Sequence, residues 1–416
     1  MLRSMFTAIS ALNLHQSYLD VIANNLANAN TTGYKANRVM FQDQYSQLIT
    51  GGSAPTANRS GTNPVQIGLG VQAGFISPNF IQGPLQSTGR NHDLAIQGDG
   101  FFVFNSVVDR SFSREGSMAV SSDGYMVNSS TGMRAQGWTV DASGKVDTNL
   151  PVTDISIPLS RSMASATTQA SFTGNLNADL TAMPIPNPAA VPPTLGASAT
   201  VTLAAFDSLG NVNPIDIEFT RVDALNWDWS YNGTPGGTLT FDNSTGHLAA
   251  GNPTTGNITV APTTGAANIN ATIDFSNMTM FSAPNSTAVA IQDGLPAGSV
   301  NDVNITPIDG SVYLIYSNGM REKIGQLALA RFTNPEGLIA SGHTMFKEAV
   351  NSGNAQIGTA ENGGRGSIAS GYLEGSNVDM AQEFTNMILA QRGFQASSRV
   401  ITTSDEIIQE LVNLKR

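Results

Sequence analysis

Four histidines, His15, His92, His247 and His343, are the residues best suited to ligating a metal or shuttling a proton, and their placement argues against both. They lie 77, 155 and 96 residues apart, and none has a second histidine at helical or hairpin spacing. Ser, His and Asp are plentiful, but no serine sits in a nucleophile-elbow frame. The chain has no cysteine, which removes disulfides, thiolate metal sites and a thiol nucleophile. Gly68-Leu69-Gly70-Val71-Gln72-Ala73 fits a loose dinucleotide glycine pattern, but Val71 to Ile76 reads as a strand where that motif needs a helix. A calcium site built from Asp and Asn needs a repeated acidic loop with liganding spacing, and the sequence has none. Trp227, Trp229 and Tyr231 alternate and so share one strand face, which either stacks on sugar rings or fills a core. The core is the expectation. No catalytic residue, cofactor site or metal site is expected, and the chain is not read as an enzyme.

The stronger signal is in two terminal stretches. Met5, Ala8, Leu12, His15, Leu19, Ile22, Leu26 and Ala29 follow one another at alternating steps of three and four. That heptad seam, with one polar interruption, predicts a long helix from about Ser4 to the loop signal Asn28–Gly33. At the other end Met380, Met387, Phe394, Ile401 and Ile408 recur every seven residues, with Phe384 and Leu411 on the same side. Asp379 and Glu383 open this second helix and Lys415 and Arg416 close it, an order that suits the helix dipole. Gly393 lies inside it at a cost of about 1 kcal/mol relative to Ala, which predicts a close helix approach.

The first helix carries only Arg3 and Asp20 between Leu2 and Ala29, and its outer face is Asn, Gln, Ser and Thr. A polar face without charge predicts further protein on that side. Two lone helices bury little, so the seams are expected to be polymerisation surfaces and not only an internal stalk. These seams comprise Met5, Leu12, Leu19, Ile22 and Leu26 of the first helix, and Met380, Phe384, Met387, Phe394, Ile401, Ile408 and Leu411 of the second. Both helices are expected to be disordered until polymerised, because a single helix pair is marginal.

Ala23-Asn24-Asn25-Leu26-Ala27-Asn28-Ala29-Asn30-Thr31-Thr32-Gly33-Tyr34-Lys35 resembles the N-terminal signature of bacterial flagellar rod and hook proteins. Its matched positions are Asn24, Asn25, Leu26, Ala27, Asn28, Thr32, Gly33, Tyr34 and Lys35. Gly371-Tyr372-Leu373-Glu374-Gly375-Ser376-Asn377-Val378-Asp379, followed by the long helix, is similar to the matching C-terminal end. The run Asp93 to Phe102 resembles the first β-domain of that family, and Val312–Gly319 and Gly325–Phe332 resemble its closing half.

Composition agrees with a β-rich structural protein. Charged residues are 12% of 416, about half the usual share, and the net charge is −11. Sparse Lys and Arg argue against nucleic acid and against anionic membranes. No apolar run reaches the roughly 20 residues of a membrane helix, so no membrane insertion is expected. The N-terminus lacks the uninterrupted apolar core and cleavage site of a secretory signal.

Along the chain, Phe41–Ile49 is ambiguous between strand and short helix, and Gly51–Asn63 reads as a loop. Leu94-Ala95-Ile96 and Phe101–Phe104 flank Gly98-Asp99-Gly100, which predicts a hairpin. Residues 151–300 hold ten acidic and two basic residues, Arg161 and Arg221, and no Lys. A Pro-rich stretch, Pro184–Pro193, precedes strand-like runs at 199–205, 215–221, 227–231, 238–241, 258–261 and 269–275, with a turn at Asp207-Ser208-Leu209-Gly210-Asn211.

The expected fold is mainly β with α-helical termini: nested all-β domains plus a coiled-coil-like terminal domain built from both chain ends. The expected parts are 1–30 with 376–416 (helical assembly domain), 31–74 with 366–375 (connecting segment), 75–150 with 301–365 (first β-domain) and 151–300 (inserted acidic β-domain).

The resemblance implies a structural subunit that polymerises with itself into a flexible, torque-transmitting tube with an export channel, located in the extracellular part of the flagellum. It implies export through the flagellar type III apparatus without a cleaved signal. It also implies contacts with a hook cap protein, the distal rod and hook–filament junction proteins. The inserted acidic domain favours a hook-type over a shorter distal rod-type subunit. A secreted β-rich adhesin or glycan-binding protein is the alternative from another class.

Overall fold

The computed structural model describes residues 2–56, 59–105, 109–141, 144–179, 185, 197–251 and 253–413, with the side chains of Leu2 and Leu411 outside that description. Most of the expected Pro-rich stretch, all but Ile185, and the closing Lys415 and Arg416 lie outside the described residues. The chain is mostly β, with one long helix at each end: α1 (Leu2–Ala27) and α2 (Met380–Asn413). It forms two compact units. Unit 1 is Met1–Ile157, Val303–Tyr313 and Lys323–Arg416; unit 2 is Pro158–Asp302 and Leu314–Glu322.

In unit 2, the strands Ser198–Phe206, Val212–Arg221, Asn226–Tyr231 and Thr234–Thr240 form an antiparallel meander. A second four-stranded sheet orders Thr255–Val260, Ile269–Phe281, Gln169–Asn177 and Ala288–Gln292, and its central pair, Gln169–Asn177 with Ile269–Phe281, runs parallel. Alternate residues of both sheets turn inward. Ile215, Ile217 and Phe219 of one sheet share a core with Phe172, Ile273 and Phe275 of the other. Trp227 and Trp229 belong to that core, at 0% and 4% exposure, so the alternating aromatic face is packing and presents no sugar-stacking platform.

The Asp207 turn closes the first hairpin of the meander. Asp207 Oδ1 accepts the backbone N–H of Leu209 and of Asn211 at 2.9 Å each, and its Oδ2 accepts the Thr264 hydroxyl at 2.8 Å. Burial alone pushes this carboxyl up, but the accepted hydrogen bonds outweigh it and hold it at about 2, below the ordinary 3.8. A depressed acid stabilises the fold fully above its unfolded value and loses that contribution as pH falls through the folded one. Unit 2 is therefore expected to lose stability between pH 3.8 and 2. Urea midpoints followed by tryptophan fluorescence should fall across that window, and the fall should be smaller in Asp207→Asn.

In unit 1, Phe101, Val103, Phe112, Phe332 and Phe346 build the core, with Phe112 and Phe332 edge-to-face at 4.9 Å between ring centroids. The hairpin expected around Gly98-Asp99-Gly100 does not form. Leu94–Gln97 pairs with Ser367–Ser370, whereas Phe101–Asn105 pairs with Arg110–Ser113 in a different sheet. The two glycines take φ of +101° and +140°, and Asp99 O accepts the N–H of Gly366, so the chain changes sheets here and does not fold back. The ambiguous stretch after α1 is strand: Asn37–Asp43 pairs with Val71–Pro78, and Ser46–Thr50 with Val65–Gly68.

Candidate assembly interface and the junction beneath it

Helices α1 and α2 run antiparallel. Asn25 near the end of α1 meets Glu383 near the start of α2, and His15 meets Gly393 further along. The half-buried or buried positions of α2 include Glu383, Met387, Ala390, Phe394, Ser397, Ile401, Ser404 and Ile408, at steps of four and three, with half-buried Asn386, Gly393 and Ser398 beside them. Met387, Phe394, Ile401 and Ile408 thus lie on the less exposed side. Met380 and Phe384 do not; both are 51% exposed. On α1, Ile22 is buried, while Met5, Leu12, Leu19 and Leu26 are half-buried. Leu411 is outside the described side chains. α1 begins at Leu2, not at Ser4.

Gly393 is a point of close approach in the helix pair. A Cβ there would lie 2.5 Å from the His15 ring. The residue sacrifices helix propensity so that the imidazole can pack against bare backbone. Gly393→Leu is expected to push the helices apart and lose more than the ~1 kcal/mol that a better helix former returns. Hydrogen exchange of α2 amides around residue 393 should accelerate while the β-core of unit 1 keeps its protection.

The signature residues lie below the helices. Asn25, 1% exposed, accepts the Asn37 N–H at 2.9 Å and the Tyr34 hydroxyl at 3.2 Å through Oδ1. Its Nδ2 donates to Asn37 O at 2.9 Å and to Glu383 Oε1 at 3.2 Å. One asparagine thus ties the end of α1, the first strand and the first turn of α2. Asn28 Nδ2 donates to Asn24 O at 3.0 Å and to Asn24 Oδ1 at 2.8 Å, and Thr31 donates to Asn28 Oδ1, which finishes the helix end. Gly33, at φ +70°, donates its N–H to Glu374 O at 2.8 Å, and a Cβ on it would lie 2.7 Å from the Glu115 nitrogen. Leu26 and Thr32 are half-buried and Ala27 is exposed.

Lys35 reaches the centre of this junction. Its Nζ donates to Glu374 Oε1 at 2.6 Å and to Ile81 O at 2.9 Å, and both charged side chains are fully buried. Gly83 N–H donates to the same Oε1 at 2.8 Å, and Arg114 Nη1 reaches Oε2 at 3.4 Å. Burial pushes both cations below their usual values, against the pull of Glu374. Arg114 also stands over the Phe101 ring at 5.4 Å. Asn377 completes the joint: its Oδ1 accepts Ala36 N–H at 2.8 Å, and its Nδ2 donates to Asn79 O at 2.7 Å. Burial likewise raises Glu383 and Tyr34.

Lys35 and Asn25 were legible only through a resemblance, Gly33 also as the end of the loop signal after α1, and Arg114 was missed. A lone arginine in a strand-like run gives no local signal, because its partner is 260 residues away. Among the described residues, no group of three or more His, Asp or Glu is placed to hold a metal ion.

The matches to known proteins follow the same division. A flagella basal body rod protein model matches residues 5–35, a flagellar basal body rod FlgEFG C-terminal model matches 369–414, and a flagellar basal body protein FlaE D2 domain model matches 175–295. The chain is 39% identical to the flagellar hook protein FlgE of Borreliella burgdorferi over the whole of both chains. The chain belongs to the flagellar hook protein family. It is also 34% identical to the FlgE of Treponema pallidum over the whole of both chains, and 32% identical to that of Escherichia coli over 98% of this chain and 99% of that one. Membership makes it a structural subunit of the hook, a homopolymer of the flagellum. The distal rod and adhesin readings are not favoured. The family's N- and C-terminal matches cover the helices and the buried junction, the parts that read most strongly as heptads and signature.

Proposed function

We propose that this subunit polymerises through its terminal helices into a tube that carries torque from rod to filament and leaves a channel for export. The observation that carries this reading is the apolar surface that the helix pair leaves uncovered. Phe6, Ile9, Met380, Phe384, Ile388 and Leu389 are each at least 41% exposed, and the neighbouring ribbon adds Leu48, Ile49 and Val65. Large apolar side chains left exposed along both helices mark an interaction surface. A heterologous contact that does not close a ring gives an open helical filament. The exposed Asn13 and Gln16 fit an uncharged channel wall along which unfolded chains slide.

In this reading the subunit has no catalytic role. Residues 1–30 with 376–416 assemble, 31–74 with 366–375 connect, 75–150 with 301–365 stack as the first β-domain, and 151–300 faces outward as a solvated acidic domain. The chain leaves through the flagellar type III apparatus without a cleaved signal. It meets a cap protein, the distal rod and the hook–filament junction proteins. Electron microscopy of the purified full chain beside a version lacking residues 1–30 and 378–416 tests the assembly claim. Tubes from the first and compact monomers from the second are expected. Tubes from both would remove the helices from the assembly surface.

A further inference from the structure

Asn-Gly is the dipeptide in which a side-chain amide is most readily lost, because glycine adds no side chain to hinder attack of its backbone nitrogen on the asparagine Cγ. The chain contains three: Asn232-Gly233, Asn318-Gly319 and Asn362-Gly363. Unit 2 immobilises the first two. Asn318 Nδ2 donates to Met163 O at 2.9 Å and to Pro296 O at 2.7 Å, and its Oδ1 accepts Met320 N–H at 3.1 Å. Asn232 and Gly233, at φ +45° and +78°, make the tight turn between two strands, and Asn232 Oδ1 accepts Asp216 N–H at 2.9 Å. Asn362 in unit 1 is exposed, and among the described residues its side chain has no hydrogen-bond partner.

The surroundings of Asn362 act in the same direction. Arg365 N–H donates to Asn362 O at 3.3 Å, which draws electron density from the Asn362–Gly363 amide. Arg331 Nη1 donates to Gly363 O at 3.4 Å, and the Arg365 guanidinium lies within 3.1 Å of the position a Gly363 Cβ would take. Two cations therefore stand beside the glycine whose nitrogen must lose a proton. They also repel each other: Arg365 is held below its usual value by burial first and by Arg331 second. A carboxylate in place of the Asn362 amide offsets that repulsion.

We propose that Asn362 is a deamidation site of the folded subunit, with Arg331 and Arg365 as the cations that favour the reaction and receive its product. Gly363 N loses its proton and bonds to Asn362 Cγ. The Cγ–Nδ2 bond breaks and ammonia leaves. Water then opens the cyclic imide at either carbonyl, giving aspartate or isoaspartate. The subunit gains a negative charge beside two arginines, and the isoaspartate form also lengthens the backbone of that loop.

The test is peptide mapping by mass spectrometry of the full chain held at mildly alkaline pH, in buffer and in urea, with isoaspartate scored separately. In buffer Asn362 is expected to convert faster than Asn318 and Asn232 by about tenfold for each side-chain hydrogen bond that must break. In urea the three rates should converge. An intact Asn362 beside a converted Asn318 or Asn232 overturns the proposal. So does the same ranking in urea as in buffer, which assigns the difference to local sequence. Arg331→Gln and Arg365→Gln should each slow conversion at Asn362, and unchanged rates in both remove the guanidiniums from the account.

Discussion

Replacing Glu374 by alanine is expected to destabilise unit 1 by about 3–5 kcal/mol, the cost of leaving a buried charge without its counterpart. Glu374 is 1% exposed and answers Lys35 and Arg114 together, while also accepting the Gly83 N–H. Its removal strands the Lys35 ammonium in a site where water does not reach. Chemical denaturation of the wild type and Glu374→Ala, followed by far-UV circular dichroism, measures the loss. Lys35→Met in the Glu374→Ala background should recover part of it, because the unpaired cation is then gone. A loss below about 1 kcal/mol, the range of exposed ion pairs, would show that the cluster is solvated.

The second large effect is expected on assembly with almost none on the monomer. Phe384 and Leu389 are 51% and 60% exposed, so the double change Phe384→Glu, Leu389→Glu should leave monomer stability within about 0.5 kcal/mol. Burying each of these side chains against a neighbour is worth about 1.5–3 kcal/mol. Losing both should raise the subunit concentration needed for tubes by at least about a hundredfold. Sedimentation across a concentration series, with thermal unfolding of the same samples, reads both quantities. Normal tubes at the wild-type concentration would exclude this face of α2 as an interface.

These two predictions draw on different kinds of information. The heptad steps from Met5 to Ala29 and from Met380 to Ile408 are local, so the sequence determined both helices. The period of a helix fixes which residues share a face before any tertiary contact forms. Local patterning also determined the strands of unit 2 that alternate, such as Val212–Arg221, and the Asp207 turn. It left Gln169–Asn177 invisible. Two thirds of that strand is Asn, Ser, Thr, Gln and Gly, and it exists because it pairs parallel with Ile269–Phe281 about a hundred residues away.

Tertiary structure alone decided three further things. It placed the two strands flanking Gly98-Asp99-Gly100 in different sheets, because glycine φ freedom permits a crossing as readily as a turn. It separated the heptad residues of α2 into Met387, Phe394, Ile401 and Ile408 on the half-buried side and Met380 and Phe384 in solvent. Periodicity names a face but not what covers it. And it joined Lys35, Arg114 and Glu374 from three distant parts of the chain into one buried cluster. Charge pairing depends on distance in space, and no spacing along the chain encodes it.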